Sequence, residues 1–220
     1  MEVSLLQHSS LNVALLAIRT CYNSEELSDT AAGSTTLGPK DKDLLKRIID
    51  SKHHSTIEHV HYTFLIRGIS RACLQELARH RIASLSVKST RYTLGKLRKV
   101  EHPFTSHEGR GLVSDYLVLT GNSYVDYNST VQLEEVRQGA WDNIPNDDLK
   151  MMLPESFKTT LVLTINARSL RNLLDLRLSH RAHWEIRKLA QRLLELVPDE
   201  HQILFEDIAA LHTKPEEAQK

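Results

Sequence analysis

Aromatic residues are scarce in this 220-residue chain, at 5%, and net charge is absent, 28 basic residues balancing 28 acidic ones. The first leaves few flat surfaces on which successive bases could stack, and the second gives no overall attraction for nucleic acid or an anionic membrane. Any anion binding must therefore be local. No apolar run approaches the roughly 20 residues of a membrane span, and the opening MEVSLLQHSS lacks a basic segment followed by a long apolar one. The chain is expected to be cytoplasmic, with neither membrane nor nucleic acid as partner. Cys21 and Cys73 are the only cysteines and lack metal spacing, so both are expected reduced. Neither HExxH nor paired CxxC occurs, which argues against a metal at the histidine-rich segment His53, His54, His59 and His61.

What is present is ordinary for a folded domain, with 40% hydrophobic and 25% charged residues. EVSLLQHS suits a short strand and LNVALLAIRTCYN a helix. Residues 24–39, with Asp29, Gly33, Gly38 and Pro39, read as a loop. KDLLKRIIDSK places Leu44, Leu45, Ile48 and Ile49 on one helical face. VHYTFLIRGIS is β-branched and aromatic, hence a strand, and RACLQELARHR returns to helical spacing through Cys73, Leu77 and Ala78. The stretch 102–146 is punctuated by glycine and expected to hold helices separated by loops. KTTLVLTIN is a second long strand, and ARSLRNLLDLRL and HWEIRKLAQRLLELV are helices, the latter aligning Ile186, Leu189, Leu193, Leu194 and Val197. These elements predict an α+β fold, one sheet with surrounding helices in a single domain over 1–208, followed by a polar tail, 209–220.

The chemistry concentrates in RHRIASLSVKSTRY, Arg79 to Tyr92, which mixes cations and hydroxyls and contains no acid. Arginine forks match phosphate oxygens bidentately and serine hydroxyls add neutral donors, so this segment is suited to anions. Arg79-His80-Arg81, seven residues and then Ser89 form the signature of the flavin-dependent thymidylate synthases, and Arg91 and Tyr92 continue the longer pattern. Upstream, HHSTIEH (His53 to His59) resembles that family's His-x-[Ser/Thr]-x-x-Glu-His segment. Downstream, TINARSLRNLLDLR (Thr164 to Arg177) resembles its Asn-Ala-Arg-Ser-Leu helix. The three motifs keep the family's order and cover roughly residues 1 to 208.

The resemblance implies a central antiparallel sheet flanked by helices, a homotetramer with active sites at subunit interfaces, and reductive methylation of dUMP to dTMP. FAD would be the cofactor, methylenetetrahydrofolate the carbon donor and NADPH the reductant. It assigns FAD contacts to His53, Ser55, Glu58, Arg79, His80, Arg81, Val87, Asn166, Ala167, Arg168 and Asn172. It assigns the dUMP site to Glu76, Leu77, Ala78, Arg79, Val87, Lys88, Ser89, Thr90, Arg91, Lys150 and Arg177, with Arg177 acting on the uracil as the catalytic group. Ser89 reads as a binding residue, since the signature offers no adjacent base to activate a nucleophile.

Helical geometry adds a constraint of its own. Arg168 and Asn172 share a helix face, whereas Arg177 lies nine residues on, about half a turn away at roughly 100° per residue. One straight helix cannot aim both arginines at one point, which suits service to two ligands or two active sites. Several positions depart from the family pattern. Glu76, with Gln75 beside it, stands where many members carry Gln, Val87 where an acid is common and Lys150 where arginine is usual. A carboxylate beside a phosphate repels it unless paired, and lysine keeps the charge but loses the fork. Glu76 and Val87 favour a competing reading, a nucleotide-binding protein without turnover.

Overall fold

The structure, a computed structural model, describes residues 1–21 and 37–213. Strand β1 (Glu2–His8) is followed by helix α1 (Asn12–Cys21) and helix α2 (Pro39–Asp50), a 3-10 turn over His54–His59, and strand β2 (His61–Ser70). Helix α3 (Arg71–Ala78) leads to strand β3 (Ala83–Val87), and short turns lead to the 19-residue helix α4 (Ser123–Trp141). Strand β4 (Lys158–Asn166), helix α5 (Ala167–Arg177), helix α6 (Trp184–Glu195), a 3-10 turn over Asp199–Leu204 and helix α7 (Glu206–Thr213) complete the described residues. The four strands form one antiparallel sheet in the order β1-β2-β4-β3. The α+β expectation therefore holds.

By its internal contacts the chain divides into two compact units. The first comprises Met1–Glu2, Ile66–Arg79 and Ser86–Leu161; the second comprises Val3–Leu65, His80–Leu85 and Val162–Lys220. Each is built around its own apolar interior.

In the first unit, Leu94, Leu97, Val100, Phe104, Val113, Leu117, Leu133, Val136, Ala140, Leu149 and Phe157 form one buried cluster. Fully burying a side chain of this kind is worth about 1.5–3 kcal/mol. Helix α4 starts where the Asn122 carboxamide oxygen accepts from the Tyr124 and Val125 amides, at 3.1 and 3.2 Å, the capping that such residues supply. Its buried Arg137 donates to both oxygens of Glu134, at 2.9 and 2.6 Å, and to the Val100 carbonyl at 3.2 Å. Glu134 in turn accepts from the Phe104 amide at 2.9 Å. Burial pushes the Glu134 carboxyl upward, but the Arg137 and Phe104 bonds outweigh it and hold the group below its ordinary value. Gly109 is required beside this loop, because a Cβ there would lie 2.0 Å from the Pro103 carbonyl oxygen.

In the second unit the interior is made by Ala14, Leu15 and Ile18 of α1, Leu45, Ile48 and Ile49 of α2, Tyr62 and Phe64 of β2, and the inward rows of α5 and α6. Helix α2 begins at Pro39, not within a loop. Proline tolerates the first helical position because its missing N–H has no intrahelical partner there. Residues 24–36 of the expected loop and 214–220 of the expected tail lie outside the described residues, while 209–213 belong to α7.

Strand β3 is the element the sequence did not announce. It occupies the spacer of the signature, is mostly exposed, and forms an edge of the sheet. Helix α3 stops at Ala78, so Arg79 caps it instead of continuing it, and Ala78 faces outward.

Helix α5 carries a buried cation. The Arg171 guanidinium donates to both oxygens of Asp207, at 2.8 and 2.6 Å, and to the Leu204 carbonyl. Those bonds hold the Asp207 carboxyl below its ordinary value of 3.8. A depressed carboxyl contributes stability above its unfolded pKa and loses it as pH falls through the folded one. Asp207→Asn should therefore cost about 2 kcal/mol at pH 7, by stripping a buried arginine of its counter-charge. The deficit should shrink in acid, well below the ordinary carboxylate range, as the native carboxyl protonates. Urea unfolding of both proteins at the two pH values reads this directly.

Candidate functional site

In the second unit, two of the three motifs meet at the junction of β4 and α5. Asn166 is the cap of α5, its side-chain oxygen accepting from the Ser169 amide at 2.8 Å, and the Ala167 amide donates to the Val60 carbonyl at 2.7 Å. The start of α5 is thus fastened to the end of the histidine-rich turn. From that start Arg168 reaches Glu58, 2.6 Å from Nη1 to Oε1, with both side chains about half exposed. Ala167 has no exposed surface. Arg168 and Asn172 line one cleft of about 350 Å³ together with His54, Arg171, Asp175 and Asp207. His54 is held below its ordinary value by burial first and by the nearby Arg171 charge second. This favours a neutral ring. His54 is not among the FAD contacts that the resemblance implies. His53 and Ser55 are exposed; His53 borders a separate cleft with Lys40 and Arg47.

At its far end α5 delivers Arg177 to the signature. Arg177 Nε donates to His80 Nε2 at 3.0 Å. With Nε2 accepting, the His80 ring carries its proton on Nδ1. His80 is buried and Arg81 is exposed. The divergence expected along this helix is present: Arg168 engages the first motif and Arg177 the second, about 13 Å apart along the axis at ~1.5 Å per residue.

In the first unit the end of the signature is exposed. Val87, Lys88, Ser89 and Arg91 lie open to solvent and Thr90 is half-buried. The Lys88 amide donates to the Thr160 carbonyl at 2.8 Å, extending the pairing of β3 with β4. Thr93 Oγ1 donates to the Ser89 carbonyl at 2.8 Å and closes the first turn of a short helix, Thr90–Thr93. Arg91 and Lys150, far apart in sequence, converge on one carboxylate: Asp147 lies 3.2 Å from Arg91 Nε and 3.2 Å from Lys150 Nζ. Asn146 adds a bond from its side-chain nitrogen to the Arg91 carbonyl at 2.7 Å. Asp147 and Asn146 escaped sequence reasoning, and the available signal was the spacing of Asp147 three residues before Lys150.

Gln75 donates to both oxygens of Glu155, at 2.9 and 3.0 Å, and is therefore committed elsewhere than to Glu76, which is half-buried. Leu77 is buried, while Ala78 and Arg79 are exposed.

The arrangement offers guanidinium and amide donors on rigid helix starts, buried orienting partners and no activated nucleophile. That is equipment for holding phosphorylated, planar ligands. The family model described as "Thymidylate synthase complementing protein" matches residues 4–201. A flavin-dependent thymidylate synthase of Wolinella succinogenes is 52% identical over 206 residues, covering 93% of this chain and 97% of that protein. A Helicobacter pylori protein of the same name is 46% identical over 210 residues, 94% of this chain and 98% of its own. The crystal structure of the Helicobacter pylori flavin-dependent thymidylate synthase ThyX complexed with FAD and dUMP superposes with a TM-score of 0.86 at 45% identity, covering 94% of this chain and 99% of that one. A UMP/dUMP methylase from Streptomyces cacaoi, at 21% identity and a TM-score of 0.66, shares the fold. Matched along nearly its whole length by both model and relatives, the chain belongs to the flavin-dependent thymidylate synthase family.

Proposed function

We propose that this protein makes dTMP from dUMP, with FAD as cofactor, methylenetetrahydrofolate as carbon donor and NADPH as reductant, in a homotetramer. The observation that carries this reading is the joining of all three motifs through α5: Glu58 to Arg168 at one end, His80 to Arg177 at the other. The donor set suits a flavin dinucleotide. Arg168 and Asn172 share a cleft, and Arg168 supplies a charge that a pyrophosphate needs when withdrawn from water. At about 350 Å³ that cleft sits at the lower end of small-molecule sites and takes only part of such a ligand, which supports a site completed by further copies of the chain. Exposed apolar side chains beside the motifs support it too: Ile82 in the second unit, and Tyr92 and Met151 in the first, are each more than 70% exposed. When bound, FAD supplies the hydride chemistry.

The protein's own residues hold and polarise. Arg91 and Lys150 are the cations for the nucleotide phosphate, and Asp147 keeps them together in its absence. Exposed ion pairs of this kind are worth only about 0–1 kcal/mol, so the phosphate faces little competition for them. Val87 offers dUMP backbone groups alone. Arg177, oriented by the bond from its Nε to His80, stabilises negative charge developing on the uracil ring. His80 is in this reading a positioning residue, and Ser89 and Thr90 are binding hydroxyls.

Flavin-loaded protein given dUMP, methylenetetrahydrofolate and NADPH should form dTMP, and sedimentation should show a tetramer. A well-folded yellow protein that forms none would return the reading to nucleotide binding alone. Arg177→Ala should stay folded and flavin-loaded yet lose at least about tenfold in turnover at saturating dUMP, roughly 1.4 kcal/mol of transition-state stabilisation. Arg177→Lys should rescue little, because an ammonium cannot both donate from an Nε position to His80 and present a planar fork. Unchanged turnover with weaker dUMP binding would make Arg177 a substrate anchor only. Arg91→Ala should instead weaken dUMP binding at least about tenfold with a smaller change in turnover, as expected for a phosphate contact made equally in ground and transition states.

A further inference from the structure

Away from the three motifs, the end of β1 in the second unit lies against the 3-10 turn Asp199–Leu204. There His8, Glu200 and His201 bring one ligand atom each to within 4.8 Å of one another. His201 is completely buried, whereas His8 and Glu200 are exposed. The buried ring is held on one side only. Its Nδ1 lies 2.8 Å from the Tyr62 hydroxyl oxygen, while its Nε2 has no hydrogen-bond partner and stands 3.4 Å from Glu200 Oε1. A buried polar nitrogen left so costs about 1–3 kcal/mol and calls for a physical reason.

The His8 ring repeats the pattern. Its Nδ1 lies 3.2 Å from the Ser9 carbonyl oxygen, which can only accept, so the ring proton sits on Nδ1 and the lone pair on Nε2. If His201 likewise donates from Nδ1 to Tyr62, two imidazole lone pairs and a carboxylate oxygen converge with no proton among them.

We propose that His8, Glu200 and His201 form a binding site for a divalent transition-metal ion, zinc by the chemistry of its donors, which clamps the end of β1 to the turn Asp199–Leu204. Two imidazoles and a carboxylate are a zinc donor set, with water taking the fourth tetrahedral position. Bonds of about 2.1 Å place tetrahedral donors roughly 3.4 Å apart, so the triangle has to tighten by about an ångström. The exposed side chains of His8 and Glu200 can make that movement while His201 stays fixed. Tyr62 and the Ser9 carbonyl are the outer partners that fix the ring tautomers of metal-bound histidines. The exposed side of the triangle, at His8 and Glu200, is the path of entry. The role is structural, since none of these residues belongs to the three motifs.

The test uses the full-length, flavin-loaded protein after chelator treatment, titrated with Zn²⁺ alone. One Zn²⁺ per chain should bind and raise the melting temperature. His8→Ala and Glu200→Gln, both at exposed positions that folding tolerates, should each weaken the affinity at least tenfold and abolish the thermal shift. Retention of affinity and shift in both variants would assign the ion to other histidines of the chain. No Zn²⁺ binding at all by the unsubstituted protein would mean that His201 is a neutral buried ring in weak contact with Glu200. Either result overturns the proposal. A dTMP assay is not needed to read either one, so the outcome is independent of the proposed activity.

Discussion

The bond from the Ala167 amide to the Val60 carbonyl, with the Asn166 cap beside it, fixes where a strand ends and a helix begins. Much of the candidate site depends on that junction. A helix has one axis and one start, so once residue 167 is seated, the azimuth and height of every side chain on α5 follow. Arg168 then faces Glu58, Arg171 turns inward to Asp207 and Arg177 arrives at His80. Misplacing the start by one residue would rotate all three arginines by about 100°. The apolar residues between them, Leu170, Leu173 and Leu174, hold the same register from the buried side.

The elements legible in the sequence were those whose periodicity survives burial. β2 and β4 are long, β-branched and bounded by clear starts, and α6 shows its apolar stripe without interruption. β3 was hidden because five residues rich in serine, flanked by arginine and lysine, read as an anion loop rather than a sheet edge. α4 was obscured differently. Its buried Leu133, Val136 and Ala140 keep helical spacing only in the second half, while the first half is polar and exposes Tyr124 and Tyr127.

Charged residues were the hardest to assign. Arg171 sits among the arginines of a recognisable motif, yet the structure buries it as a support within the same cleft that Arg168 and Asn172 line. Periodicity places a residue on a face but does not say what waits opposite. The same limit hid Asp147, whose meaning comes from Arg91, 56 positions away. In this chain of zero net charge several of the site's cations are paired with an acid, Glu58 for Arg168 and Asp147 for Arg91 and Lys150. Such exposed pairs restrain the side chains at little energetic cost.

The contact between Tyr62 and His201 spans 139 positions, and this separation has a meaning during biosynthesis. At about 5–20 residues per second, a ribosome needs roughly 7 to 28 s after making Tyr62 before it reaches His201. Throughout that interval the aromatic face of β2, Tyr62 and Phe64, lacks Phe205, one of the aromatic neighbours that Tyr62 has in the finished fold. The N-terminal strand and helices can gather early, but this part of the interior closes only as the last turns of the chain emerge. A nascent chain stalled in that window leaves part of an apolar sheet face uncovered, the kind of surface that makes partly folded chains prone to aggregate.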